Sequence, residues 1–382
     1  MHGTIPDRIL PPDERSHAFV SIQIMRALAA LVVVCVHIPT EITYGMKWGD
    51  EVPEIISGGI AADLFFVISG FVILYSSEAM FGHADAPRVF FLRRLARVVP
   101  LYWLTSGVTL VFILLLHPDL GSAVHSLGSV IGSFTFIPLP RPNGVIFPLN
   151  PPGWTMPYEM FFYVLFAGAI LLSRTRAVIV LTVLFAILTT VGLIVPLPQP
   201  FASWCDPLML EFSFGMLVAL AYRAGFRIPW PVSAALLLAA AAALAASALW
   251  GPHVPWRVLE WGLPATAIVA AFTLARAKPK PGVIARAVAF LGDASFSLYL
   301  IHPLVLPIPR RILSRFFVIP QSPWLLAALL LVAAVIAAII VYLLFERPLT
   351  RLLRRWIGEV HDRRGLVIRP EAGPSYRAAN SL

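Results

Sequence analysis

The chain has 382 residues, 59% of them hydrophobic and 13% charged, with a formal net charge of +9 and a mean hydropathy of +0.83. Soluble domains are about a quarter charged, so this composition excludes a soluble globular protein and identifies a polytopic membrane protein whose first partner is lipid. Two cysteines, Cys35 and Cys205, exclude a disulfide framework, and no metal and no nucleic acid is expected as a partner.

Residues 1–19 are polar and are expected to form a cytoplasmic N-terminal segment. No small-residue cleavage site follows the first apolar run, so that run is expected to stay as an anchor. Apolar windows fall near 20–40, 60–78, 98–117, 157–173, 177–195, 206–222, 231–250, 258–276, 288–308 and 324–346. They predict an all-α fold, a membrane bundle of about ten transmembrane helices in one domain over 20–350. A run at 126–138 is too short to span and reads as a re-entrant or surface segment. The stretch 118–156, rich in Pro and Gly, reads as an ordered loop, and 351–382 as a disordered cytoplasmic tail.

Basic residues orient the bundle. With a cytoplasmic N-terminus, 22 of the 29 Lys and Arg fall on inner segments and six on outer ones, Lys47, Arg141, Arg257, Arg310, Arg311 and Arg315. That asymmetry is expected to place both termini in the cytoplasm. The remaining cation, Arg26, lies within the first window, in MRALAALVVVCVH (25–37). An arginine inside a span costs about 2.5–3.5 kcal/mol on insertion scales and is usually retained for a task. Eleven residues make about three helical turns, so Arg26 and His37 share a face about 16 Å apart along the axis.

The same topology sets His37, Asp63, Glu159, Asp206 and His302 near the outer face, with Arg93, Arg94 and Arg97 at the inner rim. Asp206 reads first as a helix cap, and Trp48, Trp154 and Trp256 as interfacial belt residues. Glu159, several residues into a span within WTMPYEMFFYV, is the carboxylate hardest to explain structurally. Arg310, Arg311 and Arg315 form either an incidental loop or a patch for an anionic polysaccharide.

Six stretches in this order resemble the acyltransferase-3 family of integral membrane acyltransferases. They are the Arg26-x10-His37 pair, ADLFFVISGFVI (62–73), FLRRLARVVPLYW (91–103), GWTMPYEMFFY (153–163), LGDASFSLYLIHP (291–303) and FERPLTR (345–351). The segment from Gly153 looks most like the bacterial exopolysaccharide-production branch. The resemblance implies acyl transfer, usually acetyl, from cytoplasmic acetyl-CoA to a hydroxyl of an exported or lipid-linked saccharide. Polysaccharide assembly proteins are possible partners. It implies that Arg26 and His37 are essential and that Arg93, Arg94 and Arg97 bind the donor.

His37 is then the expected general base or acyl carrier, and Glu159 is expected to orient its imidazole or bind sugar. Asp63, Trp154, Ser295, Tyr299 and His302 are expected to line the acceptor side. Without the resemblance, a proton-coupled transporter or a non-catalytic component of polysaccharide export fits the same composition. No duplication of the two halves is visible, which weighs against the transporter.

Overall fold

A computed structural model describes residues 12–46, 59–116, 126–250, 257–276, 281–308 and 322–362. Lys47, Trp48, Trp256, Arg310, Arg311 and Arg315 lie outside the described residues. Among those described the fold is all-α. The helices are α1 (Pro12–Met46), α2 (Gly59–Ser76), α3 (Ala86–Leu116), α4 (Leu127–Thr135), α5 (Met156–Ala169), α6 (Arg174–Ile194) and α7 (Met209–Arg223). They continue with α8 (Trp230–Trp250), α9 (Leu263–Thr273), α10 (Val283–Asp293), α11 (Ser295–Val305), α12 (Pro323–Val341) and α13 (Arg347–Asp362).

Among the described residues seven helical segments are long and apolar enough to cross a bilayer, or eight if α10 and α11, bent by 65° at their junction, count as one broken span. Two further predicted windows hold shorter apolar helices, α5 with 14 residues and Val258–Thr273, whose first turn is π-helical. Every predicted window thus contains a helix. Leu115, Val183, Ile187, Ile194 and Leu238 expose their apolar side chains. Lipid must cover such a surface, because backbone groups inside the helices are already paired and apolar faces avoid water.

Two close backbone approaches organise the bundle. A Cβ on Gly70 of α2 would stand 2.1 Å from the Phe212 carbonyl oxygen, and one on Gly215 of α7 would stand 2.0 Å from that of Val67. These glycines let two helices touch along their backbones, the small-residue contact typical of membrane helix pairs. Gly292, at the end of α10, meets α1 in the same way, 1.9 Å from the Gln23 carbonyl oxygen to an added Cβ. Between these seams lies an aromatic core in which Phe162 and Phe212 stack with ring centroids 4.3 Å apart.

The predicted ordered loop is ordered over its described part, and it enters the bundle. Ser126 and Ser129 form a reciprocal capping box that starts α4, nine residues long and so too short to span. Ser133 then accepts from the Leu149 N–H at 2.9 Å, and Arg141 donates to the carbonyls of Phe147 and Pro148. Asn150, 1% exposed, donates to Thr105 at 3.1 Å and to the Leu300 carbonyl at 3.0 Å. At its far end the chain differs from the expected tail: it stays helical through α13 to Asp362. Likewise α1 begins at Pro12, inside the segment expected to precede it.

Candidate functional site

Three clusters hold the polar residues of the membrane region. The first is a cavity of about 90 Å3 whose wall includes Arg26, Ser69, Arg94, Arg97, Glu159 and Tyr299. Its cations come from two helices: Arg26 projects from α1, Arg94 and Arg97 from successive turns of α3. Arg26 Nη1 donates to Gln23 Oε1 at 3.0 Å, and Gln23 Nε2 donates to Asp293 Oδ1 at 2.5 Å. The bend between α10 and α11 brings Asp293 to this position. Arg94 crosses the rings of Phe90 and Tyr163 and donates to Ser76 Oγ at 2.9 Å, where the contact is exposed. Arg94 therefore reaches the cavity mouth. Glu159, the one carboxylate in this wall, accepts from Ser69 at 3.2 Å and from Tyr163. The described wall carries three guanidinium groups and one carboxylate, with Asp293 and Glu346 acting on the arginines from just outside it; forked guanidinium donors of this kind suit phosphate or another anion.

The second cavity, about 560 Å3, lies on the other side of the α5 entry and is walled by Tyr102, Trp154, Tyr158, Ser203, Asp206 and Arg257 among others. α4 and the inserted loop close it through Ser129, Ser133 and Phe147. The sequence GWTMPYE divides the two cavities by helical geometry. Trp154, Pro157 and Tyr158 face the second cavity, whereas Thr155, Met156 and Glu159 face the first. Gly153 is required here because a Cβ would lie 2.4 Å from the Tyr102 ring. Tyr299 seals the divide from α11, in hydrogen-bond contact with Thr155 and donating to the Pro152 carbonyl.

Behind this cavity stands an acidic group. Asp63, fully buried, accepts from Arg257 Nη2 at 2.7 Å and Nε at 3.3 Å. Arg257 also lies over Trp154 and Trp261. Glu211 is fully buried beside Asp63, packed against Gly262. Asp206 Oδ1 accepts from the Leu208 N–H at 2.9 Å, so it turns the chain into α7 as well as facing the cavity.

The third cluster is a histidine pair. His37 on α1 and His302 on α11 have ring centroids 4.9 Å apart. His37 Nδ1 lies 2.8 Å from the Val33 carbonyl and His302 Nδ1 lies 3.2 Å from that of Leu298. A carbonyl accepts only, so both Nδ1 atoms carry hydrogen, and Nε2 is the nitrogen each ring leaves for another partner. His302 is fully buried and its Nε2 has no partner among the described residues, whereas His37 is exposed. Tyr299, three residues before His302 on the same helix, lines the arginine cavity, whereas neither histidine is part of its wall.

The structure thus separates residues expected at one level. Arg26, Arg94, Arg97, Glu159, Ser295 and Tyr299 share one wall, and Arg93 is not part of it. Trp154 lines the second cavity, Asp63 stands behind it, and His37 and His302 pair with each other. Glu159 does not orient His37: it binds Ser69 and Tyr163 at the arginine level. The 3-10 turn Pro151–Thr155, with Pro152, Gly153 and Thr155 buried, leads the chain into α5 four residues before Glu159. Residues missed in the sequence are Gln23, Asp293, Arg257, Glu211 and Tyr158. Glu211 carried a readable signal, a lone charge inside the span LMLEFSFGML.

Comparison with known proteins agrees with this architecture. A family model described as acyltransferase domain (acyltransferase 3) matches residues 19–343. The exopolysaccharide production protein ExoZ of Rhizobium meliloti (strain 1021) is 31% identical over 331 residues, 84% of this chain and 95% of its own length. The acyltransferase MdmB of Streptomyces mycarofaciens is 28% identical over 363 residues, 87% of this chain and 91% of its own. No solved structure matches the chain significantly.

Proposed function

Because the chain belongs to the acyltransferase-3 family and is a membrane acyltransferase of non-aminoacyl groups, we propose that it transfers acetyl from acetyl-CoA to a saccharide hydroxyl. The acceptor is an exported or lipid-linked saccharide of a bacterial plasma membrane, facing away from the cytoplasm. The observation that carries the donor assignment is the convergence of Arg26, Arg94 and Arg97 on one cavity. The nucleotide phosphates sit at its mouth, on Arg94 and Arg97, because the cavity of about 90 Å3 admits only a slender portion of the donor. The pantetheine arm runs past Arg26 toward Tyr299. ExoZ, named for exopolysaccharide production, supports a saccharide as acceptor.

His37 supplies the base. Its Nε2 lone pair takes the proton from the acceptor hydroxyl as that oxygen attacks the thioester carbonyl carbon. The tetrahedral intermediate collapses, the carbon–sulfur bond breaks, and the coenzyme thiolate recovers the proton from the imidazolium. Glu159 positions Tyr163 and balances the arginine charge. The test is acetyl transfer by sealed membrane vesicles given labelled acetyl-CoA and extracted cell saccharide. O-acetyl label on the saccharide is the expected product, and saccharide uptake without thioester cleavage would overturn the reading in favour of transport.

A further inference from the structure

The 560 Å3 cavity is separated from the arginine cavity, and its wall has a different chemistry. Ligand sites of several hundred Å3 with a few convergent polar groups are the usual size for small organic molecules. Here two aromatic rings, Trp154 and Tyr158, stand nearly perpendicular, with centroids 6.1 Å apart, and polar groups surround them. Flat apolar rings beside hydroxyl and carboxylate acceptors suit a pyranose ring, which has an apolar C–H face and a hydroxyl rim. Asp206 commits one oxygen to the Leu208 N–H and lies in the wall, where an acceptor oxygen can receive a sugar hydroxyl.

The charge arrangement selects further. Arg257 is the one cation in this wall, and Asp63 holds it from behind with two hydrogen bonds. Glu211, also behind the wall, adds another carboxyl to the same group. Arg141, on the inserted loop, is directed at the carbonyls of Phe147 and Pro148. A uronate or pyruvate carboxylate in the cavity would therefore face Asp206 and find a guanidinium already matched by a buried carboxylate. Like charges brought together in a partly desolvated site are unfavourable.

We infer that the Trp154–Tyr158–Asp206 cavity is a subsite for a pyranose ring of the acceptor other than the ring that reacts at His37, and that it takes an uncharged ring in preference to an acidic one. This deepens the reading above and rests on its saccharide acceptor. The experiment uses the purified full chain in nanodiscs, with saturation-transfer NMR to detect a neutral gluco-oligosaccharide and, separately, an oligouronate of equal length. Labelled coenzyme A binding is measured on the same samples. Asp206→Asn keeps a capping side chain, and Tyr158→Phe keeps the ring.

The neutral oligosaccharide is expected to bind, each variant weakening it by about tenfold, as loss of one hydrogen bond to a charged or buried partner does. The oligouronate is expected to bind more weakly to the parent and to approach the neutral sugar in Asp206→Asn. Absence of neutral-sugar binding, indifference to both substitutions, or tighter binding of the oligouronate by the parent overturns the inference. Sugar binding with these properties but no coenzyme A binding supports this subsite while overturning the donor assignment.

Discussion

His302, wholly buried on α11, holds its ring centroid 4.9 Å from that of His37 on α1, and each ring is anchored through Nδ1 to the carbonyl one turn before it. The two rings are thus fixed by helix geometry alone, since a carbonyl at i−4 is available wherever a histidine sits in a helix.

Replacing His37 by alanine should lower acetyl transfer by at least about 100-fold, the usual contribution of a general base, while leaving coenzyme A binding intact. His302→Gln should lose less, because His302 acts on the ring and not on the substrate. Transfer assays in vesicles, with expression checked by immunoblot, measure both. Retention of full activity by His37→Ala would remove the base assignment.

Neutralising Arg94 and Arg97 together should raise the acetyl-CoA concentration needed for half-maximal rate by about tenfold or more, since each charge-assisted hydrogen bond contributes about 1.5–3 kcal/mol. Arg93→Ala should change it little, because Arg93 stands outside the cavity wall. Donor titrations with the three proteins distinguish the roles, and equal effects of all three would point to a general basic rim instead of a site.

Arg257→Ala should destabilise the fold, because it leaves Asp63 buried beside Glu211 without its cation. Breaking one half of a buried pair costs about 3–5 kcal/mol. Arg257→Ala combined with Asp63→Asn should recover much of the loss. Thermal unfolding in detergent, followed by size-exclusion chromatography, gives the comparison; an unrecovered double variant would mean that Arg257 acts by packing on Trp154 and Trp261.

Gly215→Ala should fold poorly, since the added carbon would stand 2.0 Å from a backbone oxygen that has no rotamer to escape into. Overpacking of this kind costs about 1–3 kcal/mol or more. Gly168→Ala, where nothing lies within 4 Å of the added carbon, is the control. Folded yield after extraction checks both.

Much of the site could be read along the chain. Arg26 and His37 announced themselves because a bilayer penalises both, and their common face follows from helical periodicity. Glu159 stood out as a carboxylate within an apolar run, but its partners Ser69 and Tyr163 could not be read there. The edge of an apolar window is set by composition alone, whereas Asn150, Pro152 and Gly153 before it are already buried against α3 and α11. Arg257 looked like one loop cation among six, because its partner Asp63 is 194 residues away.

The all-α class, membrane character and the positions of the costly residues are therefore properties of local composition, legible because burial energy in lipid depends on one segment at a time. Which of those residues meet is a different matter. The partition into an arginine cavity, an aromatic cavity and a histidine pair depends on glycine seams that set helix spacing, on a 65° bend that brings Asp293 to Gln23, and on a loop that inserts between helices. Those are contacts between distant segments. Their geometry follows from how the helices pack, so it exists only once the bundle is assembled.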